Sequence, residues 1–152
     1  MKKAIILTGV SGAGKTFART HDPELVDLPV VDIADVYRVA EANFGLQLDW
    51  YSAHHKLLHH VRRALQKHNT MVVEGYYLPG SETRKMLLDD LKVQGVQADI
   101  RVFWAPLKVC LERIAQQFEN SEISAAECKQ RIELTKKLWR PQEEQHADIH
   151  GS

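Results

Sequence analysis

The chain of 152 residues contains few cysteines, no excess of either charge and no long apolar run. Cys110 and Cys128 are isolated and form no Cys-x-x-Cys pair, which suits unpaired thiols in a reducing compartment. Twenty basic and twenty acidic side chains cancel. This balance argues against a strong non-specific nucleic-acid binder, because such binding depends on neutralising phosphates, but it leaves room for a local basic patch.

Signals for export or membrane insertion are also missing. The apolar run behind Lys2 and Lys3 extends only from Ala4 to Leu7, which is too short for a signal peptide or a membrane span. The chain shows no internal repeat and no low-complexity tract, and its length fits one domain over residues 1–152. We therefore expect a cytoplasmic protein that folds around one core.

Short apolar runs alternate with helical patterns along the chain. The runs, each predicted to be a strand, are Ala4–Thr8, Pro29–Asp32, Thr70–Glu74 and Ala98–Trp104. The predicted helices are Asp49–Lys67, Ser81–Gln94, Pro106–Phe118 and one that runs from a capping box, Ser124 with Glu127, to about Trp139. This alternation predicts an α/β fold in which helices flank a parallel sheet of four or five strands, the fifth falling in "HADIHG".

In the stretch "AIILTGVSGAGKTF" an apolar run stops at Gly9, small residues follow, and Gly-Lys-Thr comes directly before Phe17. Gly9, Gly14, Lys15 and Thr16 match the pattern G-x-x-x-x-G-K-[ST] between a predicted strand and a helical pattern. Glycines let the backbone turn so that successive N–H groups point at one anion, and the helix adds the positive end of its dipole. The pattern therefore predicts a phosphate-binding loop for a nucleoside triphosphate.

The loop residues predicted to contact the nucleotide are Gly9, Gly12, Ala13, Gly14, Lys15, Thr16 and Phe17. Lys15 is expected to reach the β and γ phosphates. The Thr16 hydroxyl is expected to bind Mg²⁺, with Glu74 or Asp32 as a further partner. Without a ligand, we expect the Lys15 side chain to face solvent.

Two further features separate the classes of protein that bind nucleoside triphosphates. The chain lacks the Asn-Lys-x-Asp motif of guanine-nucleotide switches, and its third strand ends in Glu74 instead of the aspartate usual in motor ATPases. The second strand ends in "VVDIADVYR", which delivers Asp32 and Asp35 to the carboxyl edge of the sheet. Arg38 lies three residues after Asp35, on one face of a helix. This pair suits the general base and phosphate clamp of a kinase, and equally a helix-start acid in a salt bridge.

The segments "MKKAIILTGVSGAGKTFAR" and "DVYR" resemble the kinase domain of the 5′-polynucleotide kinase family of T-even bacteriophages. The wider group of small P-loop kinases includes zeta toxins and chloramphenicol phosphotransferases. The resemblance implies an ATP-dependent, Mg²⁺-requiring kinase whose acceptor is the 5′-hydroxyl of a polynucleotide or 3′-nucleotide. It places the general base on Asp35, an acceptor-phosphate arginine on Arg38 and a lid arginine on Arg113, in a lid over about residues 113–127.

The chain departs from this family in its lid. Gln117 stands where the family has a second lid arginine. The transition-state charge then falls to Arg113 alone or to a residue of the last helix, namely Arg131, Lys136 or Arg140. Two alternatives stay open: a kinase of a small molecule or modified base, and a nucleotide-binding module without catalytic activity. The zero net charge and Gln117 favour these alternatives, whereas Asp35 with Arg38 favours the polynucleotide kinase.

The stretch "HHKLLHH" places four histidines on one predicted helix, namely His54, His55, His59 and His60. The i,i+4 spacing of His55 and His59 suits a transition metal, but no acidic or cysteine third ligand is evident. Ordinary surface histidines are the simpler interpretation, and metal binding stays an open alternative.

Aromatic and basic side chains complete the candidates. The aromatic residues that either stack on a nucleotide base or pack in the core are Trp50, Tyr51, Tyr76 and Tyr77. The basic residues that either form solvated helix faces or contact an acceptor strand are Arg62, Arg63, Lys67, Arg84 and Lys85.

Overall fold

The computed structural model of the protein describes residues 1–45 and 47–145. Its strands are β1 (Lys3–Thr8), β2 (Val30–Asp32), β3 (Thr70–Glu74) and β4 (Gln97–Val102). Its helices are α1 (Lys15–His21), α2 (Ile33–Phe44), α3 (Trp50–Lys67), α4 (Glu82–Val93), α5 (Leu107–Glu119), α6 (Ala125–Leu138) and α7 (Gln142–Gln145). Within these residues the strands form a parallel sheet of four in the order β2-β3-β1-β4, which confirms the predicted α/β class.

Strand β1 lies inside the sheet and is buried on both faces. Ala4, Ile5, Ile6 and Leu7 are each at most 1% exposed. Because successive side chains of a strand point to opposite faces, Ala4 and Ile6 pack with α3 and α4, whereas Ile5 and Leu7 pack on the other face with Leu25. The continuous apolar run of β1 therefore follows from a sheet covered on both sides.

Polar residues cap the first turns of four helices. The side chains that accept a backbone N–H two or three residues later are Asp32, Asp49, Ser81 and Ser124, at α2, α3, α4 and α6. They satisfy N–H groups that the start of a helix leaves unpaired. At α6 the predicted capping box is half formed, because the Glu127 carboxylate contacts Arg38 and Arg131.

One strand ends earlier than the sequence predicts: β4 ends at Val102 instead of Trp104, whose indole Nε1 donates to the Arg140 carbonyl (3.0 Å). Helix α2 begins at Ile33, so Asp35 lies in its first turn and shares the helix with Arg38, as expected. The candidate fifth strand in "HADIHG" lies outside the described residues. In the part of the chain that the structure describes, no helix is long and apolar enough to span a membrane.

Candidate functional site

The loop between β1 and α1 follows a backbone path that requires glycine at two positions. Gly9 has a φ of 142° and Gly12 a φ of 82°, values that side-chain-bearing residues rarely adopt. A Cβ on Gly9 would lie 2.5 Å from the Phe103 carbonyl oxygen, and one on Gly12 would collide with the backbone of Cys110. The loop is therefore held closely against the segment after β4 and against α5.

Lys15 is buried and folded back onto this loop. Its Nζ donates to the carbonyl oxygens of Gly9 and Gly75, the latter at 3.0 Å, and lies 4.8 Å from the ring centroid of Tyr76. Burial lowers the pKa of Lys15 to about 8, although the negative charge of Glu74 opposes the shift. The expectation that Lys15 faces solvent is wrong, because these carbonyls hold its ammonium group inside the site.

Two carboxyl groups meet at the ends of β2 and β3, where Asp32 pairs in register with Glu74. Burial, together with the hydrogen bond and charge of Glu74, raises the pKa of Asp32 to about 6. Burial also acts upward on the pKa of Glu74, but the hydrogen bond from Asp32 and the charges of Arg19 and Lys15 outweigh it, so the net shift is downward. Of the two carboxyl groups, Asp32 is therefore the one that binds a proton more readily.

Oxygen ligands suited to Mg²⁺ converge at this carboxyl pair. The Thr16 hydroxyl donates to Oε1 of Glu74 at 2.9 Å. A hydroxyl and one or two carboxylates are what Mg²⁺ takes from a protein when substrate phosphates and water supply the rest. Thr16 and Glu74 thus fit a magnesium ion. Among the described residues, no group of three or more His, Cys, Asp and Glu side chains is arranged to hold a metal, the four histidines of α3 included.

A cavity of about 540 Å³, the loop cavity, lies above this loop and the carboxyl pair. Among the predicted nucleotide contacts, Gly12, Gly14, Lys15, Thr16 and Phe17 line it. The predicted metal partners and lid arginine line it as well, namely Asp32, Glu74 and Arg113. Arg113 reaches across from α5, and its Nη1 donates to the Gly12 carbonyl at 2.9 Å.

Arg131 of α6 also lines the loop cavity. It is one of the three residues considered as replacements for the lid arginine that Gln117 displaces. Gln117 lines the same cavity, and its Oε1 accepts from Nη1 of Arg131 at 3.2 Å. Arg140 instead donates to the carbonyls of Lys137 and Trp139. Of the three alternatives, Arg131, Lys136 and Arg140, only Arg131 is among the described residues that line this cavity, and Gln117 contacts it.

A second cavity of about 700 Å³, the side cavity, lies next to the loop cavity. Both are lined by Ile33, Ala34, Tyr76 and Arg131. Of the four candidate aromatic residues, Trp50, Tyr76 and Tyr77 line the side cavity, whereas Tyr51 is 60% exposed outside it. His54 lines it too, with Nδ1 2.8 Å from the Trp50 carbonyl oxygen.

Asp35 and Arg38 are in contact, but they do not occupy equivalent places. Nη1 of Arg38 donates to Oδ1 of Asp35 at 2.9 Å, and the Arg38 side chain lines the side cavity. The Asp35 side chain is 61% exposed, and among the described residues it belongs to the lining of neither cavity. The acids that line the loop cavity are Asp32, Glu74 and Glu122.

Two contacts of the site escaped the sequence analysis. Arg19 places Nη2 3.0 Å from Glu74 and 3.7 Å from Asp32. It lies one helical turn after Lys15, so the i,i+4 period of α1 was an available signal. The Glu127 carboxylate contacts Arg38 across a separation of 89 residues, for which the sequence offers no local signal.

Comparison with solved structures identifies the fold. The chain has a TM-score of 0.63 with a candidate kinase of Chloroflexus aurantiacus j-10-fl, at 20% identity over 86% of this chain and 74% of that one. It has a TM-score of 0.56 with the APS kinase CysC of Mycobacterium tuberculosis in complex with AMPPNP and APS, at 20% identity over 81% and 76%. It has a TM-score of 0.59 with a chain of the Pnkp1/Rnl/Hen1 RNA repair complex, at 18% identity over 91% and 46%.

These similarities, together with the loop and the sheet order, define an α/β P-loop NTPase fold of the kind found in small kinases. No family model and no curated protein sequence matches the chain. The structural likeness spans several kinds of kinase and does not single out the phage polynucleotide kinase group.

Proposed function

We propose that the chain is an ATP-dependent kinase that transfers the γ-phosphoryl group to a hydroxyl of an acceptor in the side cavity. The observation that carries this proposal is the adjacency of the two cavities, which share four lining residues: beside the cavity of the loop with Lys15 and Thr16 lies a second, aromatic-lined cavity. Phosphoryl transfer depends mainly on positioning donor and acceptor and on stabilising the transferring charge.

The residues of the loop cavity take the donor side. Lys15 and the loop amides hold the β and γ phosphates, and Thr16 and Glu74 hold Mg²⁺. When bound, the metal neutralises and orients the phosphates. Arg113 and Arg131 bring positive charge to the transferring group from α5 and α6, which act as the lid.

The acceptor hydroxyl needs a group that takes its proton, and Asp35 is the proposed general base. Its present bond to Arg38 requires it to turn toward the side cavity when an acceptor binds, and catalytic contacts are often loose in a ligand-free enzyme. Asp32 already lies in the loop cavity, beside the metal ligands. Asp32 therefore acts on the donor side of the site, and Asp35 acts on the acceptor side.

The favoured acceptor is the 5′-hydroxyl of a polynucleotide or 3′-nucleotide, with Arg38 on its phosphate. Helix α3 favours a nucleic-acid strand as the acceptor, because the helix starts at the side cavity with Trp50 and contains no acidic residue. Its exposed basic residues, spaced three or four apart on one face, are Lys56, His60, Arg63 and Lys67. The RNA repair complex among the similar structures points the same way.

A small molecule is the second candidate acceptor. The side cavity, at about 700 Å³, falls within the range of about 300–1,000 Å³ common for small-molecule sites. Arg38 also contacts two carboxylates, Asp35 and Glu127, so its charge is already balanced. The APS kinase among the similar structures is an example of this type.

A phosphate-transfer panel tests the proposal. γ-Labelled ATP is offered with oligonucleotides of two to twelve nucleotides, 3′-AMP, adenosine and a set of small alcohols. A strand acceptor predicts that the acceptor KM falls with oligonucleotide length and that Arg63→Glu abolishes this trend. Lys108→Glu, which reverses an exposed charge on α5, is the matched control. Tight ATP binding without transfer to any acceptor would leave a nucleotide-binding module.

A further inference from the structure

Glu127 of α6 stands between the two arginines that line the side cavity. Its Oε2 accepts from Nη2 of Arg38 at 3.2 Å and from Nη2 of Arg131 at 3.4 Å. Its Oε1 accepts from Nε of Arg38 at 3.4 Å. One carboxylate thus ties together a cation of α2 and a cation of α6, at the place where the side cavity meets the loop cavity.

We propose that the Glu127 carboxylate occupies, in the ligand-free chain, the position that an acceptor phosphate takes between Arg38 and Arg131. A phosphate-bearing acceptor then displaces Glu127 from both arginines. This inference rests on the proposed function, and it adds a residue that selects among acceptors. The ligand class is a phosphate group carried by the acceptor, the anion that matches the fork of an arginine with more oxygens and more charge than a carboxylate.

Exposure makes the exchange accessible. The Glu127 side chain is 32% exposed, that of Arg38 is 42% exposed and that of Arg131 is 21% exposed. Water and salt reach these partly exposed ion pairs and screen them, which keeps their contribution small. A phosphate that approaches from the side cavity therefore competes with a weak occupant.

Neither arginine loses its last partner when Glu127 leaves. Arg38 has the Asp35 carboxylate on its own helix until that acid turns to the acceptor hydroxyl, when the acceptor phosphate takes its place, and Arg131 keeps the amide oxygen of Gln117. Glu127 has a fixed backbone place, since its N–H donates to Oγ of Ser124 at the cap of α6, so only its side chain has to move. The displaced carboxylate turns into the solvent that it already faces.

The displacement has a consequence for specificity. An acceptor without a phosphate cannot replace the carboxylate and gains nothing from the two arginines. An acceptor with a phosphate gains both arginines but must first overcome their bond to Glu127. Neutralising Glu127 therefore strengthens the binding of phosphate-bearing acceptors selectively.

The experiment compares the binding of 3′-AMP and adenosine by calorimetry, with AMPPNP saturating the loop cavity. Glu127→Gln keeps the size and hydrogen-bonding ability of the side chain but removes its charge. The expected result is a Kd for 3′-AMP lowered about two- to fivefold, with the Kd for adenosine unchanged. Glu133→Gln, an exposed glutamate of the same helix, should bind both ligands as the wild type does.

A double-mutant cycle isolates the mechanism. In an Arg38→Gln background the effect of Glu127→Gln on 3′-AMP should be smaller than in the wild-type background, because one of the two guanidinium groups for which the carboxylate competes is gone. Unchanged or weaker 3′-AMP binding by Glu127→Gln overturns the inference, as does equal tightening for adenosine or the absence of 3′-AMP binding by every chain. These outcomes concern binding alone, so they are distinguishable from a failure of phosphoryl transfer in the acceptor panel.

Discussion

The loop cavity and the side cavity are built in different ways. The loop cavity takes most of its groups from one continuous stretch, residues 9–17, and from the ends of adjacent strands. The side cavity gathers Arg38 from α2, Trp50 from α3, Tyr76 after β3 and Glu127 from α6. Its ion pairs are partly exposed, whereas Lys15 and Glu74 in the loop cavity are buried. The loop cavity is therefore fixed by local backbone geometry, whereas the side cavity depends on side chains that tertiary packing brings together.

If this contrast is correct, the largest loss of activity comes from a substitution in the loop cavity, the proposed donor side of the site. Lys15→Ala should lower the rate of phosphoryl transfer by about 10³–10⁵-fold, the scale on which a cation at the transferring group acts in other enzymes. The fold should persist, because β1 and its neighbours are untouched. Single-turnover transfer, with circular dichroism as the folding control, measures both. A variant that keeps most of its turnover would remove the catalytic role of the loop.

Substitution of Asp35 and of Asp32 should affect different steps, acceptor phosphorylation and ATP binding respectively. Asp35→Asn should lower turnover by about 10²–10⁴-fold and leave ATP affinity unchanged, since asparagine cannot take the acceptor proton. Asp32→Asn should weaken the binding of ATP with Mg²⁺, because Asp32 lies beside Glu74 in the loop cavity. Calorimetric ATP titration and transfer rates on both variants test this. Near-normal turnover of Asp35→Asn together with a large loss in Asp32→Asn would move the base to Asp32.

Arg38 tests the acceptor half alone. If Arg38 holds an acceptor phosphate, Arg38→Ala should cost a 3′-nucleotide about 10- to 150-fold more in kcat/KM than a nucleoside, as for a charge-assisted hydrogen bond of about 1.5–3 kcal/mol. Comparing kcat/KM for 3′-AMP and adenosine gives the ratio. Equal losses on both acceptors would make Arg38 a structural partner of Asp35 and Glu127.

Some parts of the fold and of the site could be predicted from the sequence, and others could not. The strands, the phosphate loop and its residues were predictable, because a continuous motif fixes its own geometry between a buried strand and a helix. Two features were not. The burial of Lys15 depends on the Gly75 carbonyl at 3.0 Å, after β3. Glu127 pairs with Arg38 of a distant helix. Contacts between distant segments are set by packing, which spacing along the chain does not encode.

The smallest expected effect is a pH dependence of stability that belongs to the loop cavity. The pKa of Lys15 is about 8 in the folded chain, below its ordinary value of 10.5. Between these values the unfolded chain binds a proton that the folded chain lacks, so stability from this group rises with pH. From pH 8 to pH 9.5 the rise should be about 1–2 kcal/mol in wild type relative to Lys15→Met. Urea unfolding of both chains across this range measures it, and parallel curves would contradict the burial of a charged Lys15.

The most direct test of the central claim, that the two cavities are the donor and acceptor halves of one kinase site, is the coupling of ATP consumption to acceptor labelling. With γ-labelled ATP and the best acceptor of the panel, the account predicts one labelled acceptor for each ATP consumed, little release of phosphate to water, and no labelling by Lys15→Ala. Phosphate released to water at the same rate with and without acceptor would contradict it, because the side cavity would then take no part in the reaction.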